Sequence, residues 1–152
     1  MFNINIGGAG ADNDWTYNYY EVGSGGVGVL GRNAYYVIDL NAINYIPNDG
    51  CDYEIMVSGY IWNNGTINTS CSIWLYNGES PSNFNFRVAL CAVTTRWTNA
   101  GCVSLRGNVL PILNGNRKIC IHNAVANSRD NWQASGDWGV RLEGFRKLGN
   151  TP

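Results

Sequence analysis

Apolar and polar residues alternate with a period of two along most of this chain beyond residue 34, and no segment carries the 3.6-residue period of an amphipathic helix. The longest run is Cys51-Asp52-Tyr53-Glu54-Ile55-Met56-Val57-Ser58-Gly59-Tyr60-Ile61-Trp62. Successive side chains of a strand point to opposite faces, so Tyr53, Ile55, Val57 and Ile61 fall on one face and Asp52, Glu54, Ser58 and Tyr60 on the other. Further strands are predicted over 15–22, 35–40, 71–76, 84–95, 102–105, 109–113, 117–121 and 138–148. In the last of these, Trp138, Val140 and Leu142 alternate against Arg141 and Glu143. Between the strands lie residues suited to turns. Pro47 presets φ ahead of Asn48-Asp49-Gly50, and Asn63-Asn64-Gly65, Asn77-Gly78 and Asn114-Gly115 tolerate the positive φ that tight turns require. About eight or nine short strands with such punctuation predict an all-β domain, an antiparallel jelly-roll-like β-sandwich.

Residues 1–31 read differently. Gly, Ala, Asn and Asp dominate around the one aromatic strand, which predicts an extended N-terminal arm or anchor over 1–31 and a β-sandwich domain over 32–152. The arm contains Gly23-Ser24-Gly25-Gly26-Val27-Gly28, a literal G-x-G-x-x-G. A dinucleotide site needs a helix to start there, so that its N-terminus meets the phosphates. Val29-Leu30-Gly31-Arg32 is no helix start, and a flexible linker or a close backbone crossing is expected instead.

Charge narrows the function classes. The formal net charge of −1 gives no electrostatic attraction to nucleic acid or to an anionic membrane. No stretch approaches the ~20 apolar residues of a membrane-spanning helix. Met1-Phe2-Asn3-Ile4-Asn5-Ile6 lacks both the basic region and the apolar run of a signal peptide, so none is expected. The five cysteines, Cys51, Cys71, Cys91, Cys102 and Cys120, are odd in number, form no C-x-x-C, and mostly sit inside apolar runs. Buried thiols of a protein made in a reducing cytoplasm are expected, rather than a disulfide framework.

Candidate chemistry is sparse. His122 is the one histidine, where a zinc site needs several ligands. No G-x-S-x-G supplies a nucleophile for a triad. Asp52 and Glu54 share a strand face two residues apart, whereas glycosidase carboxylates come from different elements across a cleft. Asp12 and Asp14 form an incomplete calcium-loop pattern. No enzyme activity, cofactor or metal is predicted. Among the six tryptophans, Trp15, Trp74 and Trp138 lie in alternating strands and read as core or interface. Trp97 closes a strand end, and Trp132 lies in the polar stretch Asn127-Ser128-Arg129-Asp130-Asn131-Trp132-Gln133; these two are candidates for adhesive contact with sugar or protein. The sequons at Asn64 and Asn68 carry no weight without a secretory signal.

Four short motifs form a series: Tyr36-Val37-Ile38-Asp39-Leu40, Asp49-Gly50-Cys51-Asp52-Tyr53-Glu54-Ile55, Asn114-Gly115-Asn116-Arg117-Lys118-Ile119, and Gly144-Phe145-Arg146-Lys147-Leu148-Gly149-Asn150-Thr151. Across 35–149 the chain resembles the β-rich head domains of tailed-bacteriophage fibre and capsid-fibre proteins. Those tend to carry "Y-x-I-D-L", "D-G-x-D-Y-E-V", "G-x-D-R-K-I" and a terminal "G-Y-R-R-L-G-T-N". Here Phe145 replaces a tyrosine, Lys147 replaces an arginine, and the last Asn-Thr pair is reversed.

The resemblance implies a virion structural protein, commonly a homotrimer, with no catalytic residues to carry over. It implies that Arg117, Lys118, Gly144, Phe145, Arg146, Lys147, Leu148 and Gly149 hold the fold and the oligomer. It also implies assembly in the host cytoplasm and a place on the virion surface. The expected partners are other copies of the chain, a major capsid protein or other virion component reached through the N-terminal arm, and surface glycans. A short arm suits a capsid anchor better than the long shaft of a tail fibre, so capsid decoration or a head fibre is the leading expectation. The competing expectations are a carbohydrate-binding module or lectin, a tail-fibre receptor-binding head domain, and a glycan hydrolase using Asp52 and Glu54.

Overall fold

The computed structural model describes residues 14–28, 30–31, 33–63, 71–93, 98–102, 108–125, 133–134 and 138–150. Among them the elements follow in the order β1 (Thr16–Gly23), α1 (Ser24–Val27), β2 (Leu30–Gly31), β3 (Tyr35–Asp39), β4 (Cys51–Asn63), β5 (Cys71–Ser80), β6 (Asn83–Val93), β7 (Thr98–Cys102), β8 (Val109–Ile112), β9 (Lys118–Val125), β10 (Gln133–Ala134) and β11 (Trp138–Asn150). The architecture is all-β, as the alternation predicts, and every ladder is antiparallel. One sheet has the order β1-β11-β4-β7. β8 shares an edge of β4 with β7: β7 pairs with Gly59–Asn63 and β8 with Tyr53–Met56. The other large sheet has the order β3-β9-β5-β6, and β2 pairs separately with β10.

The two large sheets face each other in a β-sandwich-like arrangement around one apolar core. Tyr53, Ile55, Val57 and Ile61 of β4 point inward, as their alternation requires, together with Val140 and Leu142 of β11. Ile73 and Leu75 of β5 and Ile119 and Ile121 of β9 meet them from the second sheet. Fully burying such a side chain contributes roughly 1.5–3 kcal/mol relative to leaving it exposed. Trp138 closes the core at one end, where its indole donates to the carbonyl of Gly28 at 2.8 Å.

A β-bulge in β11 redirects the end of that strand. Leu142 pairs with Val57, but Gly144 pairs with Met56, so Glu143 is the extra residue. A bulge of one residue exchanges the two faces of everything beyond it. Phe145 therefore turns inward beside Tyr53, with ring centroids 5.9 Å apart, and Arg146 turns outward onto Glu54. Plain continuation of the Trp138, Val140, Leu142 alternation would have placed Phe145 outside.

Two sequence expectations are corrected. The division at residue 31 does not separate an arm from the domain among the described residues. β1 is a full member of the larger sheet, Trp15, Val22 and Leu30 are buried, and β2 is hydrogen-bonded to β10. Residues 1–13 lie outside the described residues. Second, Asn77-Gly78 is not a turn. β5 runs through it to Ser80, because Asn77 is buried and donates from Nδ2 to the carbonyls of Asn116 (2.6 Å) and Lys118 (3.3 Å). The strand expected at 102–105 falls mostly outside the described residues; β7 covers Thr98–Cys102, held by its ladder to β4. Cys51, Cys91 and Cys120 are buried thiols, as expected.

Candidate functional site

The loop between β3 and β4 is the most elaborately tied irregular segment of the described chain. Asp39 begins it, accepting on Oδ1 from the backbone N–H groups of Asn41 (3.0 Å) and Ala42 (3.2 Å), which is an Asx-type turn. Ile43 then donates to Asp39 O, Asn44 to Asn41 O, and Tyr45 to Leu40 O. Asn44 adopts a left-handed φ of 52°, a conformation that asparagine tolerates better than most residues. At the far end, Asp49 accepts from Tyr53 Oη (2.7 Å) and Cys51 N (3.2 Å) and pairs with Lys147 (2.7 Å). Lys147 and Tyr53 hold its carboxyl well below the usual carboxylate range. In return, burial and the bond to Asp49 push the Tyr53 phenol up to about 12.

Arg117 fastens this loop from beneath. Only 6% of the residue is exposed. Its Nε donates to Asn41 Oδ1 at 2.7 Å, and its Nη2 donates to the carbonyls of Pro47 (2.7 Å) and Ile46 (3.3 Å). Its own carbonyl accepts from Leu40 N. Arg117 thus offers five donors in a fixed fork, and the loop is folded around that fork. Lys118 points elsewhere and pairs with Glu79 at 2.8 Å on the surface. Together with Asp39 and Asn116, these two residues line a small polar cleft of about 240 Å³.

A larger groove, about 550 Å³, opens between this loop and β1. Tyr45 and Phe145 contribute its rings, packed edge to face with centroids 5.7 Å apart. The phenol of Tyr45 donates to the carbonyl of Asn18 at 2.5 Å and so ties the loop to the strand. Burial pushes that phenol up from its ordinary value. Thr16, Tyr17 and Asn18 line one side, while Asn41, Asn44 and Asn48 come from the loop. Tyr17 is 51% exposed, and no side chain lining the groove carries a charge.

The second surface is the outer face of the β3-β9-β5-β6 sheet. Register places Tyr35 beside His122, His122 beside Trp74, and Cys120 beside Tyr76, all on the side away from the core. Trp74 and Tyr76 stack, Tyr76 tilts against Phe84 at 4.7 Å, and the Arg87 guanidinium lies 4.8 Å from the Trp74 ring centre. Such cation–π contacts are worth about 0.5–1 kcal/mol where exposed. The Tyr76 hydroxyl lies 3.2 Å from His122 Nδ1. Burial lowers the pKa of the imidazole and pushes the Cys120 thiol beneath this layer up to about 12.

The remaining sequence candidates fall as follows. Gly144 sits where β1 and β11 cross closely; a Cβ there would lie 2.8 Å from Thr16 O. Arg146 pairs with Glu54 and lies 4.9 Å over the Trp15 ring. Leu148 is exposed and Gly149 has a φ of 141°. Asp52 accepts from Asn114 N at 2.8 Å and Glu54 pairs with Arg146, so both carboxylates of the hydrolytic pair weighed from the sequence are engaged, and neither lines the groove or the cleft. The glycine motif forms the single turn α1, with Gly23 packed against the Trp138 carbonyl. Trp97 and Trp132 lie outside the described residues. The groove itself was not visible in the sequence, since Tyr17, Asn44 and Phe145 come from three distant segments; only the run of loop asparagines hinted at it.

No protein-family model matches the chain, and no curated protein matches its sequence.

Proposed function

We propose that this chain is a virion surface protein of a tailed bacteriophage, a homotrimeric jelly-roll domain that coats or projects from the capsid. The observation that carries the reading is the strand order. Setting aside the two-residue strands β2 and β10, and counting β7 with β8 as one position, the sheets read 1-8-3-6 and 2-7-4-5. Strands 1 and 8, 2 and 7, 3 and 6, and 4 and 5 are therefore neighbours. One long hairpin, wrapped so that successive pairs alternate between two sheets, would have this order, which supports the jelly-roll reading. Viral capsid proteins and lectins are built on it, so the fold narrows the function without fixing it.

Two further observations support the reading. The outer aromatic face, with Tyr35, Trp74, Phe84 and Arg87, has the composition of a subunit interface, rich in aromatic residues and arginine. The four motif segments that carry the resemblance converge on one end of the fold: Asp39 and Arg117 organise the loop, and Asp49 pairs with Lys147. Gold-labelled antibody against the chain, applied to purified particles of the phage that encodes it, tests the proposal. Label on the heads is expected. Label confined to the tails would favour the receptor-binding alternative, and unlabelled particles would overturn the virion reading.

A further inference from the structure

We propose that the groove between β1 and the β3–β4 loop is a binding site for a neutral saccharide. It gives the adhesive side of the reading above a location, and it rests on that reading only to this extent, because the groove is complete within one chain.

The argument is one of chemical matching. The volume, about 550 Å³, lies within the usual span of small-molecule sites. No charged side chain lines it, so neither an anion nor a cation would find compensation there for its lost hydration. The nearest buried charge, Arg117, is not part of the lining: its Nε and Nη2 donate to Asn41 and to the carbonyls of Ile46 and Pro47, and its unpartnered Nη1 is buried. A purely apolar ligand would strip water from the amides of Asn18, Asn41, Asn44 and Asn48 and return nothing. A sugar presents hydroxyls that both donate and accept, and an apolar C–H face. Side-chain amides match the first, since each carries two donors and an acceptor. The exposed ring of Tyr17, with Phe145 beneath, matches the second.

The orientation of one amide follows from its partner. Arg117 can only donate, so Asn41 Oδ1 faces it and Nδ2 is what this exposed residue offers to a ligand. The loop hydrogen bonds and the Tyr45–Asn18 tie hold the walls in place before any ligand arrives, which lowers the entropy lost on binding.

The test uses the full chain on an array of uncharged and acidic glycans, with calorimetric titration of whatever is retained. A neutral glycan is expected to bind, and an acidic derivative of it to bind no better. Tyr17→Ala and Asn48→Ala, both at exposed positions, should each weaken binding by roughly tenfold, the scale of one lost ring or amide contact, with an unchanged melting temperature. Retention of no neutral glycan, undiminished binding in both variants, or a loss seen only in Trp97→Ala or Trp132→Ala would overturn the assignment. Light scattering on the same samples separates the two proposals. A monomer that binds removes the trimer and keeps the groove, while a trimer that ignores neutral glycans does the reverse.

Discussion

At the scale of single residues, buried polar groups decide more of this structure than their number suggests. Arg117 is the clearest case. Replacing it with leucine leaves Asn41 Oδ1 and the carbonyls of Ile46 and Pro47 without their donors, and should cost about 2–4 kcal/mol in urea unfolding. Arg117→Lys should recover little of this, because a single ammonium cannot reproduce the planar fork. A loss below about 0.5 kcal/mol, typical of surface substitutions, would contradict the role given to it. Cys120 is the first of the buried groups to contribute to the alkaline limit. Its thiol ionises near its ordinary 9.0 when unfolded but only at about 12 when folded, so the folded state binds more protons between those values. Stability should therefore fall as pH rises above 9, by up to roughly 1.4 kcal/mol per pH unit, and Cys120→Ala should flatten that slope. An unchanged slope would show that the thiol is not the group responsible. His122 acts at the other end. Its lowered pKa means that the unfolded chain takes up the proton first, so stability is lost as pH falls through 6.5.

At the scale of elements, the alternation of β4, the bend at Asp49-Gly50 and the turn at Asn114-Gly115 were legible because period and turn chemistry are local properties. Asn77-Gly78 misled for a physical reason. The pair is a strong hairpin signal only where asparagine is exposed, and here Asn77 answers two carbonyls inside the protein while Gly78 admits β6. A Cβ on Gly78 would meet the Asn83 carbonyl oxygen and come within 2.6 Å of Phe84 Cα. Gly78→Ala should accordingly cost about 2 kcal/mol or more by thermal unfolding, whereas Gly25→Ala, which meets nothing within 4 Å, should stay within about 0.5 kcal/mol. Equal effects would refute the packing explanation. The Glu143 bulge was equally hidden. Nothing in Arg141-Leu142-Glu143-Gly144 announces it, because it is fixed by pairing with β1 on one side and β4 on the other. Yet that bulge brings Phe145 to the groove.

At the scale of the whole molecule, the strand inventory foretold an antiparallel all-β domain, while the order of strands within sheets came from long-range pairing that a sequence read in isolation does not encode. β1 shows the difference. Its glycine-rich surroundings read as an arm, but Val22 is buried in the core and Tyr45 reaches across the chain to Asn18. Self-association is the central proposal at this scale, and the aromatic face of the β3-β9-β5-β6 sheet is the surface proposed for it. The most direct measurement is the mass of the full chain in solution by light scattering at micromolar concentration. The account predicts three times the 16.7 kDa of one chain, and a mass of 16.7 kDa across that range would contradict it.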